Sequence, residues 1–267
     1  MSQPAEILDQ SAVSSLPVRY EQPLNERMRT FLRLEYLYQQ FLYHVELRSE
    51  WASRNAISSL LDIIAILGRG DVRSDVLKEL EKQIYLFDKY QNLPEIDESR
   101  LGGVLRNLEN FRKRVIAIGP QYLVAARESE FLNSVKHRSA IPGGTCEFDL
   151  PDYNHWLRKP YDSRFADLQF WMTDLTPVCG SVAELLWLFR KSGTTYEQVA
   201  AGGVFQHSLE RGTANNLLRV ILPPQAALYP EISGSHHRFT IRFMEWSDAR
   251  SRAVQNTSNI KFQLTIC

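Results

Sequence analysis

The stretch AIPGGTCEFDLPDYNHW, residues 140–156, decides how the chain is divided. Before it, apolar residues recur at helical spacing; after it, they largely alternate. Pro142, Gly143 and Gly144 are a turn signal. Thr145-Cys146-Glu147-Phe148-Asp149-Leu150 then alternates polar and apolar positions, which predicts a strand. The expected class is α+β: a helical bundle domain over residues 18–140, then an antiparallel β domain over 141–267 with a helical insert near 162–192. Residues 1–17, polar and mixed with Pro4 and Pro17, are expected to form a loose leader.

Working backwards from residue 140, the periodicity is helical. Leu101, Val104, Leu105, Leu108, Phe111 and Val115 form the cleanest stripe, capped by Asp97 or Ser99 and ended at Gly119-Pro120. Val72, Val76, Leu80, Ile84 and Phe87 form another, with Asp71 as its N-cap and a break over NLPEIDES, residues 92–99. Ile57, Leu60, Leu61, Ile64 and Leu67 form a third, ending where Gly68 and Gly70 can adopt the left-handed conformation. Leu24, Met28, Phe31, Leu34, Tyr38, Phe41, Leu42 and Val45 form the first and longest. VRYEQP, residues 18–23, is short enough to be a strand. QYLVAARESEFLNSVKHR, residues 121–138, is helical but less regular.

Working forwards, DSRFADLQFWMTDL and SVAELLWLFRKSG flank Pro177 as the helical insert. Strands are expected over GGVFQHSLE (202–210), NLLRVILP (216–223), HRFTIRFMEW (237–246) and NIKFQLTIC (259–267). Leu218, Val220 and Leu222 share a face, as do Phe262, Leu264 and Ile266. No crossover helix separates the later strands, so they should pair antiparallel. In HRFTIRFMEW, Phe239, Ile241 and Phe243 form the core face, which leaves Arg238 and Arg242 together on the other.

Composition narrows the function. The 267 residues carry 31 Lys+Arg against 31 Asp+Glu, so bulk electrostatic binding of nucleic acid is not expected. The three cysteines, Cys146, Cys179 and Cys267, are scattered without CxxC spacing and read as reduced thiols of a cytoplasmic protein. AISSLLDIIAIL is too short to span a bilayer and contains Asp62, so no membrane insertion is expected. The N-terminus has neither a basic start nor a long apolar core, so it is not read as a secretory signal.

Catalytic and cofactor signatures are missing from the spacing. No GxGxxG, Walker loop or GxSxG is present, and the six histidines show no HExxH or HxH pattern. His236 and His237 are adjacent on a strand and point to opposite faces, so they do not converge on a metal. No catalytic residue, cofactor or metal site is therefore expected. Arg69-Gly70-Asp71 spells an adhesion tripeptide, but a helix stop followed by an N-cap accounts for the Gly and the Asp. Arg69 has no such structural reason and stands as a loop cation. Arg238 and Arg242 fit either a solvated strand face or a cationic stripe that grips carboxylates, a task that suits the planar, permanently charged guanidinium.

Four segments resemble the signature segments of the ZapD family, Z-ring-associated bacterial cell-division proteins. They are PLNERMRTFLRLE (23–35), RGDVRSDVLKEL (69–80), IPGGTCEFDLP (141–151) and LYPEISGSHHRFTIRFM (228–244). The likeness runs in order from about residue 18 to the C-terminus. It implies a non-catalytic cytoplasmic protein, located at midcell with the Z ring. It further implies a symmetric homodimer, formed largely through its helical part, that binds the C-terminal tail peptide of FtsZ and bundles FtsZ protofilaments. Arg69, Arg238 and Arg242 match the arginines of the family's ERGEVR-like loop and SRFAIRF-like strand. His237 at the pocket rim and Arg73 complete the expected partner-binding set, with Arg127 a further basic position. The chain departs from the family pattern at Gly68, where the family has an acidic residue, and at His236-His237, in place of a Lys-Ser type pair. The alternative reading is a different non-catalytic dimeric adaptor recognising an acidic peptide.

Overall fold

The computed structural model describes residues 16–90, 97–210, 215–224, 226–235 and 237–267. Most of the expected leader, the centre of the expected break at 92–99, and His236 lie outside the described residues. The class is α+β, with helices first and antiparallel sheets after them. Two units can be distinguished: Thr30–Trp187, and the residues up to Arg29 together with Leu188–Cys267. No helix among the described residues is long and apolar enough to cross a membrane.

The helical unit contains most of α1 (Glu26–Val45), then α2 (Glu50–Leu67), α3 (Val72–Tyr90) and α4 (Glu98–Ala117). Each buries the stripe its sequence periodicity marks out: Phe31, Leu34 and Phe41; Ile57, Leu60 and Leu67; Val76 and Leu80; Leu101, Leu105 and Leu108. Side-chain caps start all four of these helices. At α1, Asn25 Oδ1 accepts from the Met28 amide at 2.8 Å. Ser49 accepts from the Ala52 amide at 3.0 Å, Asp71 from Ser74 at 3.1 Å, and Asp97 from Arg100 at 3.0 Å. The choice between Asp97 and Ser99 thus falls on Asp97. The stop after α2 differs from expectation. Gly68 is right-handed, with φ −85°, and the chain turns by donating the Gly68 amide to the Ile64 carbonyl and that of Arg69 to Ile66. Gly119, after α4, does take the left-handed conformation, with φ 69°.

The strand expected over Thr145–Leu150 does not form. The segment folds on itself through local bonds, Gly144 to Ile141, Cys146 to Gly143 and Leu150 to Cys146, and the Arg54 guanidinium takes the Thr145 carbonyl at 3.0 Å. With those backbone groups satisfied locally, no ladder is needed, and Phe148, an apolar position of the apparent alternation, is left 86% exposed.

Short helices α5 (Val124–Glu128) and α6 (Glu130–Ser139) precede this turn. α7 (Pro151–Leu157), α8 (Tyr161–Met172) and α9 (Thr176–Ser192) follow it. The helices expected as an insert are therefore present, but they begin at Pro151, and up to Trp187 they belong to the helical unit. The division between the two compact units thus falls at 187/188, whereas the periodicity suggests 140/141. One physical reason is Arg164 on α8. It is buried, donating Nε to Ser53 Oγ of α2 at 3.0 Å and its other nitrogens to the carbonyls of Leu157, Lys159 and Arg48. A buried guanidinium with its donors engaged fixes α8 against the start of α2.

The β unit has two antiparallel sheets. One has the order β1-β4-β8-β2, with β1 Val18–Pro23, β4 Leu217–Leu222, β8 Ile260–Ile266 and β2 Thr194–Ala200. The other has β3 (Val204–Ser208), β6 (Arg238–Glu245) and β5 (Leu228–Gly234) in that order, with β7 (Val254–Gln255) also paired to β6. Between them lies a core of Leu218, Val220, Leu222, Phe262 and Leu264 from the first sheet and Phe239, Ile241 and Phe243 from the second. The Phe243 and Phe262 rings are 5.0 Å apart, centroid to centroid. On the other face of the first sheet, Glu21 accepts from Arg190 at 2.8 Å and lies 3.0 Å from Arg219 Nε. Strands β2 and β5 were not expected from the sequence. β2 is an edge strand whose residues are mostly exposed, so it lacks a buried alternation. β5 contains Pro230, which edge strands tolerate because one side of the strand needs no donor.

Candidate partner-binding surface on the β unit

β6 is the central strand of the second sheet, and its burial alternates: Phe239, Ile241 and Phe243 are buried, Arg238 and Arg242 exposed, Thr240 and Met244 half-buried. Register with its neighbours defines the open face. Arg242 has Val204 of β3 on one side and Glu231 of β5 on the other; Thr240 lies between Gln206 and Ser233. Arg238 lies opposite Ser208, and its carbonyl accepts from the Ser235 amide at 2.9 Å. Farther along, Met244 is paired with Tyr229, and Trp246 follows, 56% exposed, its indole N–H donating to the Ser251 carbonyl at 3.1 Å.

The face therefore changes character along β6. At the Arg238 end is a trough of about 540 Å³ lined by Gln206, Ser208, Ser233, Ser235, Arg238 and Thr240 among others. Small hydroxyl side chains flank the guanidinium, so a carboxylate can approach it and find further donors. At the other end Met244, Tyr229 and Trp246 offer apolar surface. Arg238 and Arg242 are four residues apart, about 13 Å along an extended strand. Among the described residues neither guanidinium has a carboxylate within ion-pair distance.

The other expected site residues have different surroundings. His237 is exposed in the turn before β6, and its amide donates to Ser235 Oγ at 3.3 Å. Arg69 is exposed in the loop between α2 and α3 of the helical unit. Arg73 is engaged: its Nε donates to the Val115 carbonyl at 3.0 Å and its Nη2 to Ile116 at 3.3 Å, so it caps the end of α4. Arg127 reaches the Gly68 carbonyl at 3.4 Å, and a Cβ at Gly68 would lie 2.8 Å from that guanidinium. Asp71, beside this loop, is held below the usual carboxylate range, first by its bond with the Ser74 hydroxyl and then by the Ser74 amide. The structure thus places Arg238, Arg242 and His237 on or beside one strand, and Arg69 and Arg73 on the helical unit.

Sequence reasoning did not single out Glu231, Ser208, Ser233 or Ser235. Only the register with β3 and β5 brings them beside the arginines. Among the described residues no group of three or more His, Cys, Asp or Glu side chains could hold a metal ion.

Comparison with known proteins gives one consistent result. The family model ZapD, described as a cell division protein, matches residues 32–242. Similar proteins include the cell division protein ZapD of Methylococcus capsulatus, 39% identical over 93% of this chain and 97% of its own length. Those of Nitrosomonas eutropha and Chromobacterium violaceum are 36% and 34% identical, covering 93% and 94% of this chain and 98% and 99% of their own lengths.

Proposed function

The chain belongs to the ZapD family of cell division proteins, and from that premise we propose that it binds the C-terminal tail peptide of FtsZ. As a homodimer in the cytoplasm at midcell, it cross-links FtsZ protofilaments into bundles that support the Z ring. The supporting observation is the open face of β6, where two guanidiniums without carboxylate partners among the described residues are followed by apolar side chains. A tail with acidic and apolar residues matches both kinds of surface. His237, beside β6, is proposed as a further partner-binding position, and Arg69 as a cation the helical unit offers to a partner by itself; Arg73, whose donors are engaged on α4, has a positioning role instead.

Bundling follows from valency. A two-fold dimer presents two identical sites, each able to hold a tail from a different filament. Along a polymer with many tails the second contact is effectively intramolecular, so modest single-site affinity becomes strong cross-linking. Sedimentation of this protein with polymerised FtsZ, intact or lacking its tail, tests the reading. Intact filaments should carry the protein into the pellet and tail-less filaments leave it in solution. Equal pelleting with both would refute tail recognition.

A further inference from the structure

We propose that Glu231 sets the strength of the β6 surface by tempering Arg242, leaving Arg238 as the dominant seat for a carboxylate of the acidic peptide. This rests on the peptide-binding reading above and assigns unequal roles to its two strand arginines. The sequence pattern presents them as equivalent; the register does not.

Arg242 is the direct cross-strand partner of Glu231, and both are exposed on the same face. Such pairs hold their Cβ atoms about 5 Å apart, close enough for an attractive interaction without a formed ion pair. An incoming carboxylate must share Arg242 with this resident charge and lies near a like charge while doing so. Arg238 is spared. It stands about 13 Å along the strand from Arg242, beyond the screening length of about 8 Å at physiological salt. Its own neighbours are Ser208 and Ser235, and the trough around it is lined by Ser, Thr and Gln side chains together with His207, Phe239 and Gly234, with no carboxylate among the described residues that line it. The peptide's best-held carboxylate therefore sits at Arg238, and the Arg242 contact is attenuated in proportion to the charge on Glu231.

The test is fluorescence anisotropy with a synthetic FtsZ C-terminal tail peptide labelled at its N-terminus, titrated with the full chain and its variants. Melting curves establish that each variant is folded. E231Q should tighten binding by about 1.4-fold to fivefold at physiological salt, the range for one cross-strand charge pair. E231D, which keeps the charge, should bind like the unaltered chain. R242A should weaken binding less than R238A, and adding E231Q to R242A should bring no gain. Unchanged or weaker binding by E231Q, or an E231Q gain that persists without Arg242, overturns the assignment while leaving peptide recognition intact. Failure of the unaltered chain to bind the peptide overturns both.

Discussion

Asp71 shows how one residue can carry a misleading label and a definite structural task. It completes an Arg-Gly-Asp string, yet its carboxylate accepts the Ser74 amide and starts α3. D71A should cost about 1 kcal/mol at neutral pH, the ordinary value of an N-cap. Because the folded pKa lies below its unfolded value of about 3.9, this contribution is fully present above that value and fades as pH falls through the folded pKa. The carboxylate is exposed, so solvent screens much of the effect. Urea unfolding at pH 7 and at pH 3.5 should show the gap between D71A and the unaltered chain narrowing at the lower pH; a gap that widens there contradicts the cap assignment. The cap could be read from the sequence because its donor is only three residues away. Arg164 could not, because its partners Ser53 and Arg48 lie on a distant part of the chain and no local pattern announces them.

Single elements show why the same alternation can succeed in one place and fail in another. In β6 the apolar set Phe239, Ile241 and Phe243 meets a second apolar surface, so the pattern becomes a strand with a buried face. In Thr145–Leu150 the alternation finds no partner strand, and turn bonds starting at Gly143, with φ 74°, consume the backbone groups. The two faces of β6 should respond differently to substitution. F243A removes a fully buried ring that packs on Phe262 and should cost about 3–5 kcal/mol. R242A, on the open face, should move stability by no more than about 0.5 kcal/mol. Chemical denaturation of both variants checks this; comparable losses would mean the Arg242 face is buried in the folded protein. That Arg238 and Arg242 share a face follows from period-two alternation alone. That Glu231 stands beside Arg242 does not, because it depends on β5, and Pro230 masks β5 as a strand.

At the scale of the whole molecule, the α+β class and the order of helices before sheets can be read from periodicity, whereas the boundary between units cannot. The helices through Trp187 belong to the helical unit because of long-range contacts such as those of Arg164, which a periodicity reading does not contain. Family membership then gives the molecule its setting in cell division, and the open face of β6 gives the proposed attachment to FtsZ a chemical basis. The proposed bundling by a dimer places a steep demand on each site, since the avidity would be built from many weak contacts. Reversing one charge at the dominant seat should therefore silence the assembly while leaving the fold intact. The most direct measurement is co-sedimentation and light scattering of polymerised FtsZ with the R238D variant, alongside the unaltered chain. The account predicts that R238D stays folded, remains in the supernatant and leaves the filaments unbundled; pelleting and bundling by R238D at the level of the unaltered chain would contradict it.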